Sequence, residues 1–337
     1  MTAEFCMRGF ETGRRGFLVA AGLTGLSCLL PTSSNATIQG MVAVGKDDWL
    51  FPVWDEVGHV DLKSVDIVAD IFTSAFDVIA KANIQVAVLL TPAKSRIYRD
   101  KLPDEFRFSA DGERRYDVAR AALSKTGTLV PDIAALLSRM HAAQPEQDLF
   151  FRGDTHWTAA AAEASAVVMA KAIIEKFHLR KSTIAGVPLD VIGRSKQDKN
   201  DLAALLSGPE RLKYKLETFP IHAVTDKNVA EMLEPEGADV VVVGNSYMQP
   251  RFGFSNMLSN QLARPVSLFW KVHQIGPYAT LLQYLASTNF KEHKPTLLVW
   301  NIHETDITLA PDRKDGWSLN AMPNVEFISR LHTALGV

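Results

Sequence analysis

Apolar residues recur at helical spacing over 64–83, where Val65, Val68, Ala69, Phe72, Phe76, Ile79 and Ala80 fall on one stripe, and the spacing predicts an amphipathic helix. The run that follows, 84–90, is continuous in Ile, Val, Ala and Leu apart from one Gln, and predicts a strand. Further helical patterns cover 114–125, 132–142 and, rich in alanine, 158–177. Strands are expected at 240–243, near 266–272 and at 296–302, with helices around 278–287 and 325–335. Strands alternate with helices and carry few polar positions, the pattern of a mostly parallel sheet flanked by helices on both faces. The expectation is therefore an α/β fold in one domain. The segment 184–236 is more polar, with SKQDKN at 195–200 as its loop-like centre, and is expected to be an insertion over the sheet edge.

The first 36 residues break this pattern. Arg14-Arg15 stands before an apolar stretch over 17–30, followed by Pro31 and the small-residue site Ser34-Asn35-Ala36, which reads as a Tat-type signal peptide. The stretch is shorter than the roughly 18 apolar residues of a membrane span. Residues 1–36 are thus expected to be the signal, and 37–337 a mature domain delivered to the periplasm. Both cysteines, Cys6 and Cys28, lie in the leader, so the mature chain uses neither disulfides nor thiol chemistry. Cys28 fits a lipidation site poorly, because Leu29-Leu30 continue the apolar core. With 47% hydrophobic residues, 22% charged residues and a formal charge of −2, the composition is ordinary globular, and nothing in it marks a nucleic-acid partner.

Two motifs carry chemistry. Residues 238–246 read ADVVVVGNS, an apolar β-branched run that delivers the Ser246 hydroxyl to the carboxyl end of a strand, where α/β enzymes place reactive groups. Gly244 leaves room for a sharp strand-to-helix turn. The signal is weaker than a full G-x-S-x-G, since Tyr247 follows the serine and the second glycine is missing, and a helix-capping serine is equally compatible. Residues 153–157 read GDTHW. On extended backbone Asp154 and His156 point to the same side, so the carboxylate can fix the imidazole tautomer while the other ring nitrogen takes a proton from a serine. Thr158 is placed to cap the following helix. The plain alternative is a surface Asp-His cap; two ligand-type residues without a third make a weak zinc signature. TPAKSRIY at 91–98 begins where a strand ends, so Lys94 and Arg96 face either the rim of a site or solvent. Taken together, Ser246, His156 and Asp154 make a nucleophilic triad available for acyl transfer.

In order along the chain, GKDDWLF at 45–51, TPAKSRIY at 91–98, LFFRGDTHW at 149–157, VVVGNSYM at 241–248, GPYATLLQYLAS from 276 and LLVWNIHETDI at 297–307 resemble the alginate O-acetyltransferase family of AlgJ and AlgX. Its catalytic domain is SGNH-hydrolase-like with the usual motif order permuted. The resemblance carries the family's triad onto Asp154, His156 and Ser246. It departs at Asn245, where the family commonly has Asp or Thr, and at Glu304-Thr305, where it has a Glu-Arg pair.

The resemblance implies a periplasmic acetyltransferase. Its acceptor would be an exported polysaccharide, alginate-like or cellulose-like, with acetyl groups supplied through a membrane-bound O-acyltransferase and neither metal nor organic cofactor required. The Ser246 N–H is expected in the oxyanion site, with a second donor from Asn245 or the Gly276-Pro277-Tyr278 loop. His303 is expected to line the cleft as a spare histidine. Without an appended carbohydrate-binding module, the chain resembles AlgJ more than AlgX. A carbohydrate acetylesterase using water as acceptor, and a non-catalytic polysaccharide-binding subunit, are the alternatives.

Overall fold

Strands β1 (Ile38–Gln39), β2 (Val42–Val44) and β3 (Leu50–Pro52) form a small antiparallel sheet at the start of the described chain. The structure, a computed structural model, describes residues 38–189, 191–224 and 238–337; the expected export leader lies outside them. Helix α1 (Leu62–Lys81) starts at Asp61, whose carboxylate accepts the Lys63 N–H, and buries Val65, Val68, Phe72, Phe76 and Ile79 on one stripe. Then follow β4 (Gln85–Thr91), the single turn α2 (Lys94–Ile97), α3 (Ala110–Leu123), α4 (Ile133–Ala143) and α5 (Ala159–Lys176). After the hairpin strands β5 (Val191–Lys196) and β6 (Thr218–Ala223) come β7 (Val240–Gly244), α6 (Phe254–Leu262), β8 (Val266–Trp270), α7 (Gly276–Ala286), β9 (Leu297–His303) and α8 (Asn324–Leu335). Among the described residues no helix is long and apolar enough to cross a membrane.

The main sheet is parallel throughout, in the order β4-β9-β7-β8. Beyond Gln85, strands β4, β7 and β9 are buried on both faces. Val240 and Val242 join Ala87, Leu89, Leu297 and Val299 in one core with α4, α5 and α6. Val241 and Val243 join Val88, Leu90, Leu298 and Trp300 in a second core with α1, α3, α7 and α8. Period-two alternation thus sends neighbouring residues to opposite faces, each covered by helices, so no polar alternation is needed. This is the mixed α/β layering expected from the sequence, and its chain reversal, β8 to one side of β7 and β9 to the other, leaves a crevice at the carboxyl ends of β7 and β9.

The loop expected at the centre of the polar segment 184–236 is present from Gln197 onward; it is flanked by residues 191–196 and 218–223, which pair antiparallel, and its Asp198, Lys199 and Asp201 line a cavity with Ser246. Two local expectations are corrected. Thr158 holds the cap position of α5, but its hydroxyl donates to the Asp148 carbonyl at 2.8 Å instead of capping. The GDTHW segment is a turn rather than extended chain, closed by a bridge between Phe150 and Trp157.

Candidate active site

Gly244 ends β7 where a side chain cannot fit: a Cβ there would stand 2.6 Å from Asn301 Cβ and 2.7 Å from Met248 Cγ. The chain turns immediately. Asn245 Oδ1 accepts the Tyr247 N–H at 3.0 Å, and the Asn245 N–H reaches Asn301 Oδ1 on β9 at 3.3 Å, so Ser246 opens a short 3-10 turn, Ser246–Met248. Its hydroxyl is partly exposed and lies 2.8 Å from His156 Nε2.

His156 is held from both sides. Its Nδ1 lies 2.6 Å from Asp154 Oδ1, which also accepts the His156 backbone N–H at 2.9 Å. Asp154 Oδ2 accepts the Asp201 N–H at 3.0 Å. Burial works against the Asp154 carboxylate, but the hydrogen bond and charge of His156 outweigh it and hold the group well below the usual carboxylate range. A carboxylate on Nδ1 places the ring proton there, leaving Nε2 free to accept from Ser246. The ring packs against Tyr247 and Phe252, with centroids at 5.1 and 5.7 Å. Two further bonds tie the loops together: Trp157 Nε1–H donates to the Tyr247 carbonyl at 2.9 Å, and the Tyr247 hydroxyl to the Thr155 carbonyl at 2.7 Å.

Asp201 is a residue the sequence reading missed. It comes from the polar segment, accepts the Thr155 N–H and hydroxyl at 2.8 and 2.7 Å, and is pushed up by burial and then by the charge of Asp154. With Asp154 and His156 it supplies three ligand-type groups within 4.8 Å. Every carboxylate oxygen of the pair already accepts a protein donor, so the donor set is that of a hydrogen-bonded relay rather than a cation cage.

Ser246, His156, Thr155 and Asp201 open into a cavity of about 280 Å³, whose wall includes Trp54, Trp270, His273 and His303. A larger cavity, about 730 Å³, lies at the other end of the sheet beside Gln85, Asp239 and Thr296. Size does not decide between them: the smaller one holds the hydroxyl–imidazole–carboxylate chain.

The remaining residues singled out in the sequence go elsewhere. Lys94 and Arg96 do not face the rim, because each finds its partners inside. Lys94 Nζ donates to the carbonyls of Phe151, Arg152 and Asp154 at 2.7, 3.0 and 3.0 Å. Burial pushes this ammonium down to about 7, opposed by the charges of Asp154 and Asp201; three acceptors need three N–H bonds, which only the protonated form supplies. Arg96 forks onto Glu304, with Nε at 2.9 and 3.0 Å from its oxygens. Arg115 Nε and the Ala93 N–H bind the same carboxylate at 3.1 and 3.0 Å, and although burial alone would raise Glu304, the two guanidinium groups hold it down at about 2. Tyr278 lies in the core, where its hydroxyl donates to the Leu309 carbonyl at 3.0 Å. Asn245 keeps the turn; its Nδ2 has no partner among the described residues, and it is not among the residues lining the cavity.

A profile of the family described as "SGNH hydrolase-like domain, acetyltransferase AlgX" matches residues 42–304. The probable alginate O-acetylase AlgJ of Pseudomonas syringae pv. tomato is 28% identical over 279 residues, 78% of this chain and 68% of that protein. The alginate biosynthesis protein AlgX of Pseudomonas putida is 22% identical over 265 residues, 75% of this chain and 54% of that protein. Among solved structures, the O-acetyltransferase domain of Pseudomonas putida AlgJ superposes with a TM-score of 0.64 at 22% identity, covering 87% of this chain and 99% of that one, which establishes the shared fold. With the family profile spanning most of its length, and its parallel sheet and helical layers laid out as in that solved domain, this chain belongs to the AlgX-type acetyltransferases with an SGNH hydrolase-like domain.

Proposed function

We propose that this protein is a periplasmic O-acetyltransferase that places acetyl groups on hydroxyls of an exported polysaccharide, with Ser246 as nucleophile, His156 as general base and acid, and Asp154 as the group that orients and charges the histidine. The observation that carries the proposal is the continuous relay of 2.6 Å from Asp154 to His156 and 2.8 Å from His156 to Ser246, opening into one cavity. Relatives named as alginate O-acetylases favour a polymer of the alginate kind as acceptor, with a cellulose-like polymer as the alternative.

In the first half-reaction His156 Nε2 takes the Ser246 proton as Oγ attacks the donor's acetyl carbonyl, and the Ser246 N–H meets the oxygen that becomes negative. The tetrahedral intermediate collapses, the donor's leaving group takes the proton from His156, and acetyl-serine remains. In the second half a sugar hydroxyl gives its proton to His156, attacks the acetyl carbonyl, and leaves as the acetyl ester while Ser246 recovers its proton. Asp154 stays ionised throughout and stabilises the imidazolium formed twice per cycle. Trp54 and Trp270, both partly exposed on the cavity wall, offer flat apolar faces against which a sugar ring can lie. The acetyl donor is supplied through a membrane-bound O-acyltransferase, and the leader with Arg14-Arg15 directs Tat export.

The test is partition of acetyl groups. Purified mature protein, p-nitrophenyl acetate and oligosaccharides of mannuronate, guluronate or glucose should give acetylated oligomer in preference to free acetate, and Ser246→Ala should give neither. Acetate alone, with every oligomer ignored, makes the protein an esterase. Turnover by a folded Ser246→Ala protein removes Ser246 from the mechanism.

A further inference from the structure

His303 closes β9 and starts the next turn. Its Nδ1 accepts the Thr305 N–H at 3.3 Å and stands 2.8 Å from the Thr305 hydroxyl, while its own backbone N–H reaches Asp306 Oδ2 at 3.0 Å. A backbone N–H aimed at Nδ1 makes that nitrogen the acceptor, so the neutral ring carries its proton on Nε2. Burial, opposed by the charge of Asp306, brings the pKa of His303 down to about 4 and keeps the ring neutral near pH 7. Nε2 is buried and has no partner among the described residues, although the residue is only 5% exposed and lines the cavity into which Ser246 opens. A buried donor left unpaired costs about 1–3 kcal/mol, so such groups in native structures call for a partner.

Its position names that partner. Strands β7 and β9 are parallel neighbours, Val240 against Leu297 and Val243 against Trp300, and at their carboxyl ends Ser246 and His303 line the same cavity. The Tyr247 ring lies between the two histidines, 5.1 Å from each.

We propose that His303 Nε2–H donates a hydrogen bond to the acyl carbonyl oxygen of the ester on Ser246, and is the second donor of the oxyanion site beside the Ser246 N–H. The assignment rests on Ser246 being the nucleophile. As Ser246 Oγ forms its bond to the acyl carbon, the carbonyl π pair moves onto oxygen; the bond from Nε2–H strengthens there, with the proton remaining on nitrogen, and relaxes when the pair returns and the leaving group departs. A neutral imidazole is suited to this, since it acts as an electrophile without titrating in the working range.

The experiment compares His303→Phe, which keeps a ring beside Tyr247 but has no N–H, with His303→Gln, whose amide offers an N–H near the Nε2 position. With p-nitrophenyl acetate, His303→Phe should lose about 10²–10³ in kcat with KM within about threefold of the parent, and His303→Gln should recover at least about tenfold of the loss. Ser246→Ala runs in parallel: if it turns over normally, the nucleophile reading fails, whereas an inactive Ser246→Ala with a full-rate, folded His303→Phe overturns the His303 assignment alone. Should His303→Phe fail to fold, kinetics of His303→Gln and ¹⁵N NMR of labelled parent protein, with the His303 signals identified by their loss in His303→Gln, decide. A proton on Nε2 at pH 7 is expected; a proton on Nδ1 overturns the proposal.

Discussion

Asp154→Asn is the substitution whose consequences the geometry specifies most completely. Asp154 Oδ1 accepts two N–H groups of His156 and Oδ2 accepts the Asp201 N–H, so all three neighbours are donors, and an amide offers only one acceptor atom. With the amide oxygen toward His156, the NH₂ faces the Asp201 N–H; turned round, the NH₂ faces Nδ1 and draws the proton to Nε2, where the ring no longer accepts from Ser246. In both orientations the negative charge that stabilises the imidazolium is gone. Loss of a triad aspartate in this way lowers kcat by roughly 10⁴, or about 5 kcal/mol of transition-state stabilisation at 1.36 kcal/mol per tenfold. The assay is steady-state hydrolysis of p-nitrophenyl acetate on a variant whose melting temperature is checked alongside. A folded Asp154→Asn protein within about threefold of the parent kcat would refute the relay and reduce the Asp154-Thr155-His156 turn to a structural cap.

Three further outcomes are expected. Glu304 is fully buried with its folded pKa lowered from 4.5 to about 2, so its stabilisation is full above about pH 4.5 and is lost as pH falls toward 2. Glu304→Gln should remove on the order of 3 kcal/mol at pH 7 and flatten the acid limb of a urea-midpoint profile, and an unchanged limb would show that the arginine pair does not carry it. Lys94→Met leaves the Phe151, Arg152 and Asp154 carbonyls without their Nζ donor and should cost several kcal/mol, together with activity, read by chemical denaturation and turnover; a loss below 1 kcal/mol contradicts the assignment of Lys94 as the anchor of this loop. Lys-Lys in place of Arg14-Arg15 should leave the precursor in the cytoplasm on fractionation, and normal periplasmic accumulation would refute Tat dependence.

Local patterns were legible where they are strong. The stripe over 64–83 became α1, and the valine run before Gly-Asn-Ser became β7 with both faces buried, because each signal spans a whole element. Asp154 and His156 share one short motif, and Ser246 ends an unmistakable strand, so the groups that meet at 2.6 and 2.8 Å could be picked out separately. What joins them was not legible. Asp201 arrives from 47 residues beyond Asp154 through a segment with no apolar period. Lys94 and Arg96 look like surface cations, since the carbonyls that Lys94 binds and the carboxylate that Arg96 binds lie more than 50 residues away. Strands of two or three residues, such as β1 to β3, are too short to show a period at all.

The order of the main sheet bears on how the protein assembles. Strand β9 is the last of the four in sequence, yet it lies between β4 and β7. Until residues 297–303 are synthesised, β4 has no strand beside it in this sheet, and β7 can pair only with β8. Insertion of β9 is a step of high contact order that brings together segments more than 200 residues apart. Chains interrupted before 297 would carry two unpaired parallel edges, the kind of surface that recruits other chains. Refolding should accordingly show a slow phase assigned to closure of the sheet, with catalytic competence returning in that phase, because Asn301, which accepts the Asn245 N–H beside Ser246, arrives only with β9.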